Sequence, residues 1–239
     1  MPDTNTSPAA TLPQGVIFDM DGLLLDTERL SRLSFDALAR ARGVPDPDFI
    51  FPQLVGRSRD DHQMIFARHL PLGLDPVTFD AEWKEAFQAL LTDHVPVKPG
   101  AETVLAYLNG RRIPCGLATS SARDKALTYL GRAGLLDYFD VLVGGDEIPA
   151  SKPAPDIYLE AAGRLGVAPP EVLAFEDSDN GVRSAHAAGM QIVQIPDLAR
   201  PSAEVLAFGH LTATSLMEAA AKLGWPEFPG IDMNDRDPN

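Results

Sequence analysis

The stretch that decides the fold is "GVIFDMDGLLLDTE", Gly15–Glu28, in which a short apolar run is followed by two aspartates and a glycine. An apolar run of this length, bounded by a glycine, is typical of a buried β-strand. In open α/β sheets, ligands bind beyond the carboxyl ends of the strands. The sequence therefore places Asp19 and Asp21 where such a sheet carries its functional site.

Four more runs of strand length follow along the chain, and they read "IPCGLA", "DVLVG", "EVLAF" and "QIVQI". The segments between them show the three- and four-residue apolar spacing of helices, as in Leu105 and Leu108. Strands that alternate with helices in this way indicate a parallel sheet covered on both faces. The pattern predicts the α/β class, with a doubly wound parallel sheet.

One long region interrupts this alternation, because residues 27–94 show helical spacing and no convincing strand. The region leaves through "VPVKPG", whose prolines and glycine suit a linker. An insertion of this length directly after a candidate site is typical of a lid. We expect a catalytic core over residues 14–26 and 95–225, a helical cap over 27–94, and flexible tails at 1–13 and 226–239.

The composition excludes several classes of protein. With 45% hydrophobic and 23% charged residues, the chain has the balance of a globular protein rather than a disordered or membrane one. The formal net charge of −14 disfavours binding to nucleic acids and to anionic membranes, which requires basic residues. An anionic substrate would therefore need a local positive group or a metal ion.

The single cysteine, Cys115, cannot form an internal disulfide, and its apolar surroundings in "RIPCGLAT" predict a buried thiol rather than a nucleophile. The first fourteen residues lack the basic start and apolar stretch of a signal peptide, and no segment has the length and apolarity of a membrane span. We expect a cytoplasmic protein that acts as a monomer.

Polar side chains follow four of the predicted strands or the loops after them: Asp19 and Asp21, Thr119 to Ser121, Lys152, and Glu176 with Asp177. Each group has a simpler interpretation when it is taken alone. The acidic and hydroxyl residues are common helix N-caps and turn residues, and a lone lysine is commonly solvated. All four groups fall at the same end of the sheet, however, which favours a shared site.

Several carboxylates gathered at one point repel each other, so they require a cation or raised pKa values. Oxygen ligands with room for water favour Mg²⁺. Lys152 and the Thr119 hydroxyl can then donate to the oxygens of a phosphoryl group. In this hypothesis Asp19 is the nucleophile that forms an aspartyl-phosphate, and Asp21 is the general acid and base.

The segments "FDMDGLLLDTE", "LATSS", "SKPAPDIY" and "FEDSDNG", in this order, resemble the four motifs of the haloacid dehalogenase-like (HAD) hydrolase superfamily. The resemblance spans roughly residues 16–195. It implies a Rossmann-like core, a four-helix cap inserted after the first motif, and Mg²⁺-dependent phosphoryl transfer through an aspartyl-phosphate.

The same resemblance implies a role for each matching residue. Asp19 would be the nucleophile, Asp21 the general acid and base, and Thr119 the phosphate-binding hydroxyl with the backbone of Ser120 beside it. Lys152 would steady the nucleophile and the phosphate. The metal would be held by Asp19, the backbone carbonyl of Asp21 and Asp177, with Glu176 close by.

Within the superfamily the chain looks most similar to the β-phosphoglucomutase-like branch. In mutases of that branch a histidine lies four residues after the threonine of "DT", and here that position is Ser31. True dehalogenases lack the second aspartate of the first motif, which is Asp21 here. Both departures favour a phosphatase that uses water as the acceptor.

In the cap, "LVGRSRDD" resembles the loop that faces the substrate. Gly56 would permit close approach of the substrate, and Arg59 would grip its distal anionic or hydroxylated part. The alternative for this segment is a solvated helix start. The five histidines show no ligand-like spacing, so no catalytic role is assigned to them.

The sequence therefore predicts a Mg²⁺-dependent phosphatase that hydrolyses a small phosphorylated metabolite, with sugar phosphates ahead of phosphoglycolate and nucleoside monophosphates. A β-phosphoglucomutase-type phosphomutase is the nearest alternative. A phospho-acceptor switch is a more distant alternative, because a long-lived acyl phosphate gains nothing from Asp21 or from a cap. A non-catalytic binding protein is another, and it predicts no turnover of any phosphoester with Mg²⁺ supplied.

Overall fold

A six-stranded parallel sheet forms the centre of the computed structural model, which describes residues 12–55, 59–92 and 94–228. The strand order is β3-β2-β1-β4-β5-β6. The strands are β1 Gly15–Phe18, β2 Cys115–Thr119, β3 Val141–Gly144, β4 Val172–Glu176, β5 Gln191–Gln194 and β6 Leu211–Thr212. The five strands predicted from apolar runs are present, and the sixth, with only two residues, was too short to show a pattern.

Ten α-helices complete the described part of the chain, and short 3₁₀ turns join some of them. Four lie within residues 27–94: α1 Thr27–Ala41, α2 Pro47–Ile50, α3 Arg59–His69 and α4 Pro76–Leu90. The others are α5 Ala101–Gly110, α6 Arg123–Ala133, α7 Asp156–Leu165, α8 Asp179–Ala187, α9 Ala203–Leu206 and α10 Leu216–Lys222. The α/β class and the inserted all-helical cap predicted from the sequence are confirmed.

The first strand lies at the middle of the sheet and is buried on both faces. Successive side chains of a strand point to opposite faces, so Phe18 enters the apolar layer on one side and Ile17 the layer on the other. Phe18 pairs in register with Phe175 of β4, and the two rings stack with centroids 5.1 Å apart. All strand pairs are parallel, so their carboxyl ends meet at one edge.

The cap has an apolar cluster of its own, built around Phe35, Phe66, Phe79 and Trp83. The indole Nε1 of Trp83 donates to the carbonyl oxygen of Ser31 at 3.0 Å, which fixes the ring against α1. The cap therefore holds its shape through contacts among its own helices.

The two linkers between cap and sheet are hydrogen-bonded to each other. The backbone N–H of Asp26 donates to the carbonyl of Pro96, and that of Lys98 donates to the carbonyl of Leu24, each at 2.8 Å. Because all four groups are backbone groups, the pairing does not depend on side-chain identity. The linkers form one short paired ribbon beside the site.

The packed part of the chain continues past residue 225, where the sequence predicted a tail to begin. Phe228 is only 3% exposed, and its ring packs edge-on against Tyr107. The Tyr107 hydroxyl also donates to the carbonyl of Pro226 at 2.7 Å. At the other end, Leu12 packs against the main core, whereas residues 1–11 and 229–239 lie outside the described part of the chain.

Cys115 is buried on β2, as expected, and burial raises the pKa of its thiol to about 12. Within the described residues, no helix has the length and apolarity needed to cross a bilayer.

A Gly181→Ala substitution is expected to destabilise the protein by about 1–3 kcal/mol, because it overpacks a buried site. A Cβ at position 181 would lie 1.8 Å from the carboxyl carbon of Glu176. The matched control is Gly163→Ala in α7, where a Cβ meets no atom within 4 Å. That helix substitution should stabilise by about 0.5–1 kcal/mol. Urea unfolding measures both, and equal stability of the two variants would contradict the expected packing.

Candidate active site

A cavity of about 340 Å³ opens at the carboxyl edge of the sheet, beneath the cap. Residues from the sheet and from the cap line it together. The sheet side contributes Asp19, Asp21, Thr119, Ser120, Lys125, Lys152, Asp177, Ser178 and Asn180. The cap side contributes Thr27, Glu28, Ser31, Phe51, Leu54, Val55, His62, Trp83 and Phe87. The structure thus brings to one place the groups that the sequence delivers from four separate segments.

Lys152 joins two acidic residues at the floor of this cavity. Its Nζ lies 2.6 Å from Oδ1 of Asp19 and 2.5 Å from Oε1 of Glu176, and it also donates to the carbonyl of Ala118 at 3.0 Å. Only 5% of the lysine side chain is exposed. The alternative of a solvated lysine is therefore wrong.

Glu176 is fully buried, and both of its carboxylate oxygens already accept hydrogen bonds from the protein. Oε1 accepts hydrogen bonds from Nζ of Lys152 and from the Tyr158 hydroxyl, the latter at 2.7 Å. Oε2 receives the backbone N–H of Asp177 and the hydroxyl of Ser178, each at 3.1 Å. This arrangement differs from the metal-ligand role predicted for Glu176. The carboxylate instead orients Lys152.

Asp21 is held by two hydroxyl groups, one from each side of the cavity. Thr27 at the start of α1 donates to Oδ1, and Ser121 after β2 donates to Oδ2, both at 2.8 Å. Ser121 in turn accepts from Nζ of Lys125 at 3.0 Å. The carboxylate therefore has a fixed orientation between cap and sheet.

Thr119 and Ser120 do not cap the following helix. Thr119 is the last residue of β2 and is 1% exposed, and its hydroxyl oxygen accepts from the backbone N–H of Ser121 at 3.1 Å. Helix α6 begins at Arg123, with Ala122 in the N-cap position and no side-chain cap. The two residues line the cavity instead.

A close backbone approach brings Asp177 against the first motif. Gly22 adopts a φ of 86°, in the left-handed region, and a Cβ there would lie 2.3 Å from Oδ2 of Asp177. A glycine satisfies both requirements. The glycine after the two aspartates thus leaves room for the carboxylate of Asp177, the residue that follows β4.

Several carboxyl groups at this edge of the sheet are buried, and burial disfavours their charged forms. Burial raises the pKa of Asp19 to about 7, with Lys152 opposing the shift and Glu176 adding to it. Burial, followed by repulsion from Asp19, raises the pKa of Asp177 well above its ordinary value. Burial and Asp21 raise the pKa of Glu28 to about 7. The positive charge near these carboxylates is too small to balance their negative charge.

The residues present fit a hard divalent cation. Asp19, Asp177 and the carbonyl of Asp21 offer oxygen donors only, which is the donor chemistry that Mg²⁺ prefers. Across the described residues, no three acidic, histidine or cysteine side chains already stand together as a closed metal-binding group. Such partial protein coordination is usual for Mg²⁺, which keeps several waters and shares its ligands with a phosphate.

Sequence reasoning missed three residues of this site. Tyr158 and Lys125 lie on helices α7 and α6, where a tyrosine or lysine carries no individual signal. Glu28 follows the "DT" pair and reads as an ordinary acidic residue in a first helical turn. Gly56 lies outside the described residues, and Arg59 begins α3 with its side chain outside them.

Together, the parallel sheet, the inserted cap and the buried Asp19–Lys152 pair define a capped α/β enzyme. The family model of haloacid dehalogenase-like hydrolases matches residues 13–189. The chain belongs to that family, and it is a hydrolase of the HAD type.

Named relatives agree with this assignment. The chain is 39% identical over 189 residues to a probable pseudouridine-5'-phosphatase of Drosophila melanogaster, covering 76% of this chain and 80% of the relative. It is 34% identical over 178 residues to a phosphorylated carbohydrates phosphatase of Thermotoga maritima, with coverages of 74% and 82%.

Among solved structures, a putative β-phosphoglucomutase from Thermotoga maritima superimposes with a TM-score of 0.71 at 32% identity. The match covers 84% of this chain and 94% of that one.

A Lys152→Met substitution should destabilise the protein by about 3–5 kcal/mol, because it leaves two buried carboxylates without their shared cation. The control is Lys84→Met, at an exposed position of α4, where the change should stay within about 0.5 kcal/mol. Urea unfolding near pH 7 compares them. Equal midpoints would show that Lys152 does not neutralise this cluster.

Proposed function

We propose that this protein is a Mg²⁺-dependent phosphatase that hydrolyses a small phosphomonoester through an aspartyl-phosphate on Asp19. The observation that carries the proposal is the buried Asp19–Lys152 contact of 2.6 Å, in the cavity that Thr119 also lines. A carboxylate held in this way can attack, while the lysine and hydroxyl groups stabilise phosphoryl oxygens.

The first step forms a bond between an Asp19 oxygen and phosphorus and breaks the bond from phosphorus to the leaving oxygen. Asp21 donates its proton to that oxygen. In the second step Asp21 takes a proton from water as the water attacks phosphorus, which releases phosphate and restores Asp19. The two hydroxyl contacts to Asp21 keep its carboxyl group oriented for both transfers.

The cation would be held by Asp19, the carbonyl of Asp21 and Asp177. When bound, Mg²⁺ would supply the positive charge that offsets the carboxylates and the phosphoryl group. Glu176 takes the separate task of holding Lys152, with Tyr158 supporting it. Ser120, Gly56 and Arg59 remain proposed substrate contacts, the first beside the phosphate and the others in the cap.

Water is the proposed acceptor, and a sugar phosphate is the proposed substrate class. Ser31, which occupies the position of the mutase histidine, lines the cavity, and the histidine that lines it is His62, from α3 of the cap. The Thermotoga maritima relative is named for phosphorylated carbohydrates, and the Drosophila melanogaster relative for a pseudouridine phosphate. Both names describe a phosphate ester of a sugar. The proposal also keeps the cytoplasmic, monomeric state and the cap over residues 27–94 expected from the sequence, with the packed core extended to Leu12 and Phe228.

The phospho-acceptor and binding-protein alternatives are less well supported. An acid and base beside the nucleophile would shorten the life of an acyl phosphate, and a cap that excludes water serves turnover. A phosphomutase would be recognised by isomerised product, rather than free phosphate, when a sugar bisphosphate is supplied.

An Asp19→Asn variant should lose at least about 1000-fold in kcat, since an amide neither attacks phosphorus nor balances the metal charge. The control is Asp137→Asn, which removes one negative charge at an exposed position. Phosphate release from a panel of phosphomonoesters measures both variants. Activity of Asp19→Asn within tenfold of the parent would refute the nucleophile assignment.

Chelation with EDTA should abolish phosphate release, and added Mg²⁺ should restore it, because the site then regains the charge that its carboxylates need. Circular dichroism before and after chelation checks that the fold persists. Hydrolysis that continues at full rate in EDTA would contradict the metal site.

A further inference from the structure

Glu28 is a carboxylate inside the cavity that the proposed chemistry does not use. It is the second residue of α1 and lines the cavity one helical turn before Ser31. Among the described residues, no donor is hydrogen-bonded to its carboxylate oxygens. The side chain is half-buried, and Lys125 and Lys98 act on its charge without a hydrogen bond to it. Its oxygens are therefore available to accept hydrogen bonds from a ligand in the cavity.

An apolar wall from the cap lines the same cavity. It consists of Phe51, Leu54, Val55, Trp83 and Phe87. The indole N–H of Trp83 is already engaged by the carbonyl of Ser31 and the hydroxyl of Ser34, at 3.0 and 3.1 Å. The tryptophan therefore offers the cavity an apolar surface rather than a hydrogen-bond donor.

The two features together match one kind of leaving group. A cyclic sugar has apolar C–H faces that pack on aromatic rings, and its hydroxyl groups donate to carboxylates. Pockets for small molecules commonly combine apolar walls with a few polar groups that fix orientation. A leaving group with its own carboxylate or second phosphate would instead meet the charge of Glu28.

We propose that Glu28 determines specificity by accepting hydrogen bonds from the hydroxyl groups of an uncharged, ring-shaped leaving group that packs against the wall of Trp83 and Phe51. The proposal rests on the proposed phosphatase function and deepens it, because it names the chemical class of the part of the substrate beyond the phosphate. It also implies that the negative charge of Glu28 disfavours binding of esters whose leaving group is anionic.

Lys125 also lines the cavity, and its ammonium group could attract a second anionic group on a substrate. Its Nζ is already engaged, since it donates to Ser121 at 3.0 Å and lies 5.1 Å from the ring centroid of Tyr129. Through Ser121 it supports Asp21. We therefore assign Lys125 to the general acid and base rather than to the leaving group.

The experiment compares the parent protein with Glu28→Gln and with Glu85→Gln, an exposed residue of the cap helix α4. Each protein is assayed with Mg²⁺ on a panel of pentose and hexose monophosphates, on phosphoglycolate, and on p-nitrophenyl phosphate. For each, kcat/KM and the Mg²⁺ concentration for half activation are measured.

The parent should prefer the best sugar phosphate over phosphoglycolate by at least about tenfold. Glu28→Gln should lower that preference about tenfold to hundredfold, mainly by raising KM for the sugar phosphate, as loss of charge-assisted hydrogen bonds implies. Glu85→Gln should keep the parent's preference. This pattern would support the assignment.

Other outcomes would overturn it. An unchanged preference in Glu28→Gln, or a parent that prefers phosphoglycolate, would remove Glu28 from leaving-group recognition. A higher Mg²⁺ requirement with unchanged preference would place Glu28 at the metal instead. Absence of phosphate release from every ester, including p-nitrophenyl phosphate, would be a failure of the proposed function itself.

Discussion

The shared ammonium of Lys152 is the interaction on which the rest of the site depends. It bridges Asp19 after β1 and Glu176 at the end of β4, two strands that are neighbours in the sheet. Burial of three charges is costly unless each is paired and hydrogen-bonded. Tyr158, Ser178 and backbone groups complete the pairing around Glu176. The strand order thus creates the place, and the ion cluster fixes the nucleophile within it.

The second constraint is the join between cap and sheet. Asp21 accepts hydrogen bonds from the hydroxyl groups of Thr27 in the cap and of Ser121 after β2. Its orientation therefore depends on both parts of the molecule. The paired linkers hold the start of α1 next to the first motif. A group that transfers protons is therefore positioned by the same contacts that set the cap over the cavity.

Strand alternation and the four polar segments were enough to predict the sheet, the insert and the meeting of Asp19, Thr119, Lys152 and Asp177, because these follow from chain order and strand direction. The part played by Glu176 could not be predicted, since adjacent acidic residues give no sign of which one turns inward. The packing of Phe228 depends on Tyr107, which is distant in sequence. Glu28 looked like a helix-start residue because only the three-dimensional cavity reveals that it lacks a partner.

The apolar cluster around Phe35, Phe66 and Trp83 has no buried member in common with the clusters that support the sheet. Substitutions within this cluster therefore act mainly on the stability of the cap, whereas Leu30 and Phe87 of the cap pack against the cluster that supports the sheet. A chain built in this way is evolvable: its choice of metabolite can drift under selection while bond cleavage is inherited unchanged.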